Sequence, residues 1–209
     1  YCPHDSLIGV KNIMRNLATI MKNPGIRDLY GAFKGVPGIV VATGPSLDKN
    51  IRDLIGMEDK CLMISADSAL EILLRHGIHP HMVTSLERIE KVAAFFEKIP
   101  AEELKNIWLA GTPVIMPSVY QAYRGPTIMV YRNFAHFEWL QMQKGTLDIG
   151  PSCTNMAFKI LDALGCNPII VVGQDCAFED VKKTHADGVN EVSNLNLRPE
   201  QLYPIKGNY

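Results

Sequence analysis

Hydroxyls, carboxylates and one loop histidine cluster where short apolar runs give way to amphipathic ones. Thr43-Gly44-Pro45-Ser46-Leu47 is the first such place. A glycine straight after an apolar run permits close backbone approach. Ser46 can then cap the next helix or offer its hydroxyl to an anion at the helix start. A tight turn with a serine cap accounts for the same residues equally well. The spacing is neither G-x-G-x-x-G nor G-x-x-x-x-G-K-[ST], which argues against a nicotinamide dehydrogenase and a Walker-type ATPase.

Ala66-Asp67-Ser68 is the second place. Asp67 suits the positive end of a helix, and it could equally accept hydrogen bonds from a ribose or base. Glu87-Arg88 reads as a solvated pair. Gly150-Pro151-Ser152-Cys153-Thr154-Asn155 is denser in polar groups. Gly150 and Pro151 shape a loop; Ser152, Thr154 and Asn155 crowd the start of a long apolar helix, which suits a phosphate or carboxylate. The last place is Gly173-Gln174-Asp175, followed by Lys182-Lys183-Thr184-His185-Ala186. His185 lies in a polar loop, where a near-neutral imidazole could move a proton.

Three other features read as structural. His76, His79 and His81 have no Cys or carboxylate at ligand spacing, so no metal site is expected. Cys153 beside a helix start reads as packing rather than as a nucleophile paired with His185. Phe95, Phe96 and Trp139 read as core.

The elements that must hold these residues follow from hydropathy. Residues 38–43, 61–66, 81–86, 106–110, 127–131 and 168–172 are short, apolar, strand-sized runs. Between them residues 47–55, 68–76, 89–98, 134–143 and 153–164 have helical spacing. Strands separated by helices imply crossovers. The expected fold is therefore α/β and Rossmann-like, a mostly parallel sheet with helices on both faces. An N-terminal helix precedes it, with Leu7, Val10, Met14, Leu17 and Met21 forming one apolar stripe and Asn23-Pro24-Gly25 ending it. Residues 31–37 read as a linker. The expected organisation is 1–34 helical, 35–190 nucleotide-binding domain and 191–209 irregular.

The chain has 209 residues, 21 Lys+Arg against 22 Asp+Glu and 47% hydrophobic residues. Balanced charge excludes a strongly basic, nucleic-acid-coating surface, and the hydrophobic fraction excludes a disordered chain. No run approaches the ~18 apolar residues that cross a bilayer. Five cysteines without a C-x-x-C, and no secretory segment, read as a reduced, cytoplasmic protein.

The ordered set of motifs resembles one family: the domain shared by bacterial motility accessory factors, which glycosylate flagellin, and an archaeal 6-hydroxymethylpterin pyrophosphokinase. The motifs are Gly44-Pro45-Ser46-Leu47 after a strand, the Gly150–Asn155 helix start, Gly173-Gln174-Asp175 after a strand, and Thr184-His185-Ala186. The resemblance implies a transferase that moves a sialic-acid-like nonulosonate from a CMP-activated sugar to Ser/Thr hydroxyls of flagellin, with no cofactor required. By this resemblance its nucleotide and phosphate would lie on Gly44, Pro45, Ser46 and Gln174; the junction chemistry adds Asp67, Ser68, Gly150, Ser152, Thr154 and Asn155. His185 would be the base, with Asp175 beside it in the catalytic set. Where the family often has Gly-Gly-Ser, this chain has Gly150-Pro151-Ser152, and the proline removes one N–H donor. The alternatives are an ATP-dependent pyrophosphokinase, with Mg²⁺ held by Asp67, Glu87 and Asp175, or a nucleotide-binding module without chemistry.

Overall fold

The computed structural model describes residues 3–133, 143–177 and 183–189. Its strands are β1 (Gly38–Val41), β2 (Leu62–Ala66), β3 (Met82–Ser85), β4 (Trp108–Gly111), β5 (Thr127–Met129), β6 (Tyr131–Arg132), β7 (Thr146–Leu147) and β8 (Ile169–Val172). Six of them form one sheet in the order β5-β4-β3-β2-β1-β8, and every pairing in it is parallel. β6 and β7 make a separate parallel pair.

The helices are α1 (Pro3–Arg15), α2 (Leu17–Lys22), α3 (Leu47–Asn50), α4 (Asp67–Arg75), α5 (Ala94–Glu97), α6 (Ala101–Leu104), α7 (Pro117–Ala122) and α8 (Cys153–Leu164). Side chains alternate across the strands, so the sheet has two apolar faces. Val40, Leu62, Ile64, Met82, Ala110 and Ile128 pack on α8 through Met156, Ala157, Ile160 and Leu161. Ile39, Val41 and Met63 point the other way, onto Leu47 of α3 and Ala69, Ile72 and Leu73 of α4. This is the expected Rossmann-like α/β architecture, helices covering both faces of a parallel sheet.

Two segments depart from the sequence reading. Residues 31–37 are more than a connection. The N–H groups of Gly31, Phe33 and Gly35 donate to the carbonyls of Ala163, Leu164 and Gly165, at 3.0, 2.8 and 2.9 Å. They thereby satisfy helix-end carbonyls that have no partner within the helix. α1 and α2 also lie against the domain on the side opposite their apolar stripe. Asn12 and Asn16 are buried, and their side-chain amides donate to the carbonyls of Val114, Pro113 and Ile115 at 2.9, 3.0 and 2.8 Å. The Arg88 guanidinium pairs with Asp5 of α1 at 2.5 Å, where the sequence had suggested a solvated pair with Glu87. The helix expected over 134–143 (all but its last residue), Trp139 within it, and the 191–209 tail fall outside the described residues.

Candidate functional site at the strand ends

In the sheet order the chain proceeds from β1 outward to β5, and β8 then adds on the other side of β1. The reversal lies between β1 and β8, where open α/β sheets receive ligands at the carboxyl ends of the strands. Thr43-Gly44 and Gly173 meet there. The Gly44 N–H donates to the Gly173 carbonyl at 2.6 Å. A Cβ on Gly44 would lie 2.5 Å from that carbonyl and would also strike the Asp175 carboxylate. Gly173 has φ +73°, and a Cβ there would sit 2.6 Å from the Ala42 carbonyl. Both glycines are thus required by backbone-on-backbone contact.

Asp175 reaches across this junction, its Oδ2 accepting from the Ser46 N–H at 3.0 Å. The Ser46 hydroxyl caps nothing, and the helix it precedes has only four residues. This hydroxyl is thus left to donate elsewhere, while the Ser46 backbone N–H is covered by Asp175. The segment carrying His185 is pinned beside β1: the Ala186 N–H donates to the Thr43 carbonyl at 2.9 Å. Lys183 pairs with Asp48 at 2.8 Å, and the Asp187 N–H donates to the same carboxylate at 2.9 Å. His185 Nδ1 lies 2.9 Å from the Thr184 hydroxyl. Partial burial holds the imidazole below its ordinary value, so it is neutral at neutral pH. When Nδ1–H donates to Thr184, Nε2 carries the lone pair a base needs.

Asp67 forms the floor on the β2 side and is only 6% exposed. Its Oδ1 accepts from the Ser68 N–H at 2.9 Å; its Oδ2 accepts from the Ser85 hydroxyl at 3.0 Å and from the Cys153 thiol at 3.6 Å. Burial outweighs these donors and raises the carboxyl from 3.8 to about 6. The same burial, with Asp67 beside it, pushes the Cys153 thiol well above its usual range. Cys153 is therefore a donor to Asp67 rather than a nucleophile. Ser68 and Thr43 hydroxyls stand 3.5 Å apart and link the Asp67 side to the Gly44 side.

α8 enters the same region at Cys153. Ser152 caps it, its hydroxyl oxygen accepting from the Asn155 N–H at 3.1 Å, which leaves the O–H to donate elsewhere. Gly150 has φ +63°, and the Asn155 side chain lies over it. Thr154 is half-buried; Gln174 is exposed beyond β8. Pro45 is buried in the turn. The structure thus joins Gly44, Ser46 and Asp175 through one set of contacts and Asp67, Ser68 and Cys153 through another. Ser85, Thr43 and Cys153 were missed as site residues in the sequence. Ser85 was legible as a hydroxyl closing a strand, but Glu87 beyond it drew attention instead.

Of the three carboxylates that would hold Mg²⁺, Asp67 and Glu87 feel each other's charge, while Asp175 faces the Ser46 amide. Asp67 has both oxygens engaged within its pocket, Asp175 covers Ser46, and Glu87 is exposed. Among the described residues no three His, Cys, Asp or Glu side chains gather as metal ligands. A cavity of about 680 Å³ lies at the opposite ends of the strands, lined by Phe33, Leu62, Met82 and Trp108, and shares no residue with this crevice. No helix among the described residues is long and apolar enough to cross a membrane.

Residues 11–181 match the family described as 6-hydroxymethylpterin diphosphokinase MptE-like. The chain belongs to that family. Among solved structures, this MptE-like chain is similar to the MAf glycosyltransferase from Magnetospirillum magneticum AMB-1, with a TM-score of 0.62 and 24% identity. The likeness covers 72% of this chain and 24% of that one, so the MptE-like chain corresponds to about a quarter of the neighbour's length. Motility accessory factors and MptE-like proteins are the two branches that the motifs resembled. No curated protein matches the chain. The family's description names a diphosphokinase, and the neighbour's a glycosyltransferase.

Proposed function

We propose that this MptE-like domain binds a nucleotide-activated sugar at the β1/β8 crevice and serves its transfer. The donor we favour is a CMP-linked, sialic-acid-like nonulosonate, and the acceptor a Ser/Thr hydroxyl of flagellin in the cytoplasm. The observation that carries this reading is the crevice itself. Two glycines bring backbone against backbone at the sheet's reversal point, with an amide at Ser46, a buried acceptor at Asp67 and a neutral imidazole at His185 around them.

In this reading the bond from the anomeric carbon to the CMP phosphate breaks as the acceptor oxygen bonds to that carbon. His185 Nε2 takes the hydroxyl proton, and CMP departs. The Ser46 N–H and Ser152 O–H supply donors for the leaving phosphate, which requires Asp175 to turn off the Ser46 amide. Asp67 and Ser68 would hold the ribose or base. No cofactor is needed. The alternative, diphosphoryl transfer from ATP to a hydroxymethylpterin, is favoured by the family's description. It would draw on Mg²⁺, for which no three His, Cys, Asp or Glu side chains gather among the described residues.

Titration calorimetry of CMP, of ATP with Mg²⁺, and of a hydroxymethylpterin separates the readings. CMP binding that is lost in Gly44→Ala, with turnover of a CMP-nonulosonate, is the expected result. Mg²⁺-dependent ATP binding with no CMP binding overturns it in favour of the diphosphokinase. CMP binding with no turnover leaves a nucleotide-binding module.

A further inference from the structure

The N-terminal segment turns to solvent the stripe that its sequence marks as apolar. Leu7, Val10, Met14, Leu17 and Met21 are 50%, 38%, 58%, 39% and 63% exposed. Helical hydrogen bonds run through the join of α1 and α2, from the Asn16 N–H to Asn12 and from the Ile20 N–H to Asn16, at 2.8 and 2.9 Å. The five side chains therefore form one continuous row. Scattered exposed apolar residues are ordinary, but a contiguous row is not.

Alternating spacings of three and four are the a/d pattern of a coiled-coil seam, narrower than the stripe that packs on a globular core. The two margins of the row differ. On one side the helix rolls into the domain through Ile13 and Ile20, which pack with Val114, Met129 and Tyr131. At about 100° per residue, the other margin carries Lys11, Arg15 and Lys22, all exposed. The acid at this end of α1, Asp5, is held by Arg88. The margin is thus basic, and it repels a second basic helix, including a copy of itself. An anionic lipid surface is the other natural partner of a basic amphipathic helix. The row has no aromatic residue to anchor it there.

We infer that the row is a docking seam for an amphipathic helix that carries acidic residues beside its own apolar stripe. The inference is independent of the activity proposed for the strand-end crevice. Its test uses the full chain and two fluorescent three-heptad peptides, both with Leu and Ile at a and d. One has Glu at e and g, and the other Lys.

The glutamate peptide is expected to bind by fluorescence anisotropy, at least about tenfold tighter than the lysine peptide at low salt, with the preference shrinking at high salt. Met14→Glu should abolish binding while the thermal midpoint stays unchanged. The triple change Lys11→Glu, Arg15→Glu, Lys22→Glu should reverse the preference between peptides. Binding of neither peptide, or of both equally, overturns the inference. So does a wild-type dimer in sedimentation that Met14→Glu dissolves, which assigns the seam to a second copy. Attachment to phosphatidylserine vesicles in place of peptide overturns it in favour of lipid.

Discussion

At the scale of single residues, Asp67 and His185 are shifted by the same cause with opposite consequences. Burial raises the Asp67 carboxyl from 3.8 to about 6, so between those values the folded chain holds a proton that the unfolded chain has released. Stability from this group is therefore complete below pH 3.8 and lost as pH rises to about 6. A shift of that size corresponds to about 3 kcal/mol. Asp67→Asn removes the titration, so its thermal midpoint should gain on the wild type as pH rises from 4 to 6.5 and then hold a constant lead. Parallel curves across that range would show that Asp67 is not the buried acid described. For His185, burial favours the neutral ring, so the unfolded chain takes up this proton first and the group costs stability as pH falls below the ordinary imidazole value. His185→Gln should keep CMP affinity and lose about 10²–10⁴ in transfer rate, read by single-turnover assay. Equal loss of affinity would make His185 a binding residue instead.

At the scale of elements, the crevice depends on a backbone junction between β1 and β8. Gly44→Ala places a methyl against the Gly173 carbonyl and the Asp175 carboxylate, and backbone cannot move aside as a side chain can. The variant should lose CMP binding and about 1–3 kcal/mol of stability in urea unfolding. Ser46→Ala should change stability by less than about 0.5 kcal/mol, because the hydroxyl caps nothing and the N–H remains. Six strand runs were legible because the inner strands of this sheet are buried on both faces, which makes the runs short and largely apolar; β8 was legible by its β-branched residues although Ile170 and Val171 are exposed. β1 and β8 could be read in this way, yet their adjacency could not: local hydropathy carries no information about which strands pair. Gly44 and Gly173 therefore read as two separate turns, and only the fold makes them one contact. Ser152 illustrates the converse, since its capping role was legible from the residues that follow it.

At the scale of the whole molecule, the N-terminal segment is attached through Asn12 and Asn16 together with Ile13 and Ile20, and presents its longer apolar row outward, which reverses what hydropathy suggests. The reason lies in the loop after β4. The Pro113, Val114 and Ile115 carbonyls would be buried without partners, and the Asn12 and Asn16 amides satisfy all three. A periodicity argument weighs side chains by apolarity and cannot register backbone acceptors supplied from about a hundred residues away. This orientation has a consequence that a pair of variants measures. Asn16→Leu leaves two buried carbonyls unpaired, a loss of about 1–3 kcal/mol for each group. At about 2–4 °C per kcal/mol, the midpoint should fall by several degrees in spite of the added apolar surface. Met14→Glu puts a charge on the exposed stripe and should leave the midpoint of the free chain within about 1–2 °C of wild type. If Met14→Glu proved the more damaging of the two in differential scanning calorimetry, the helix would have to sit with its apolar row against the domain. The polar anchoring would then be wrong.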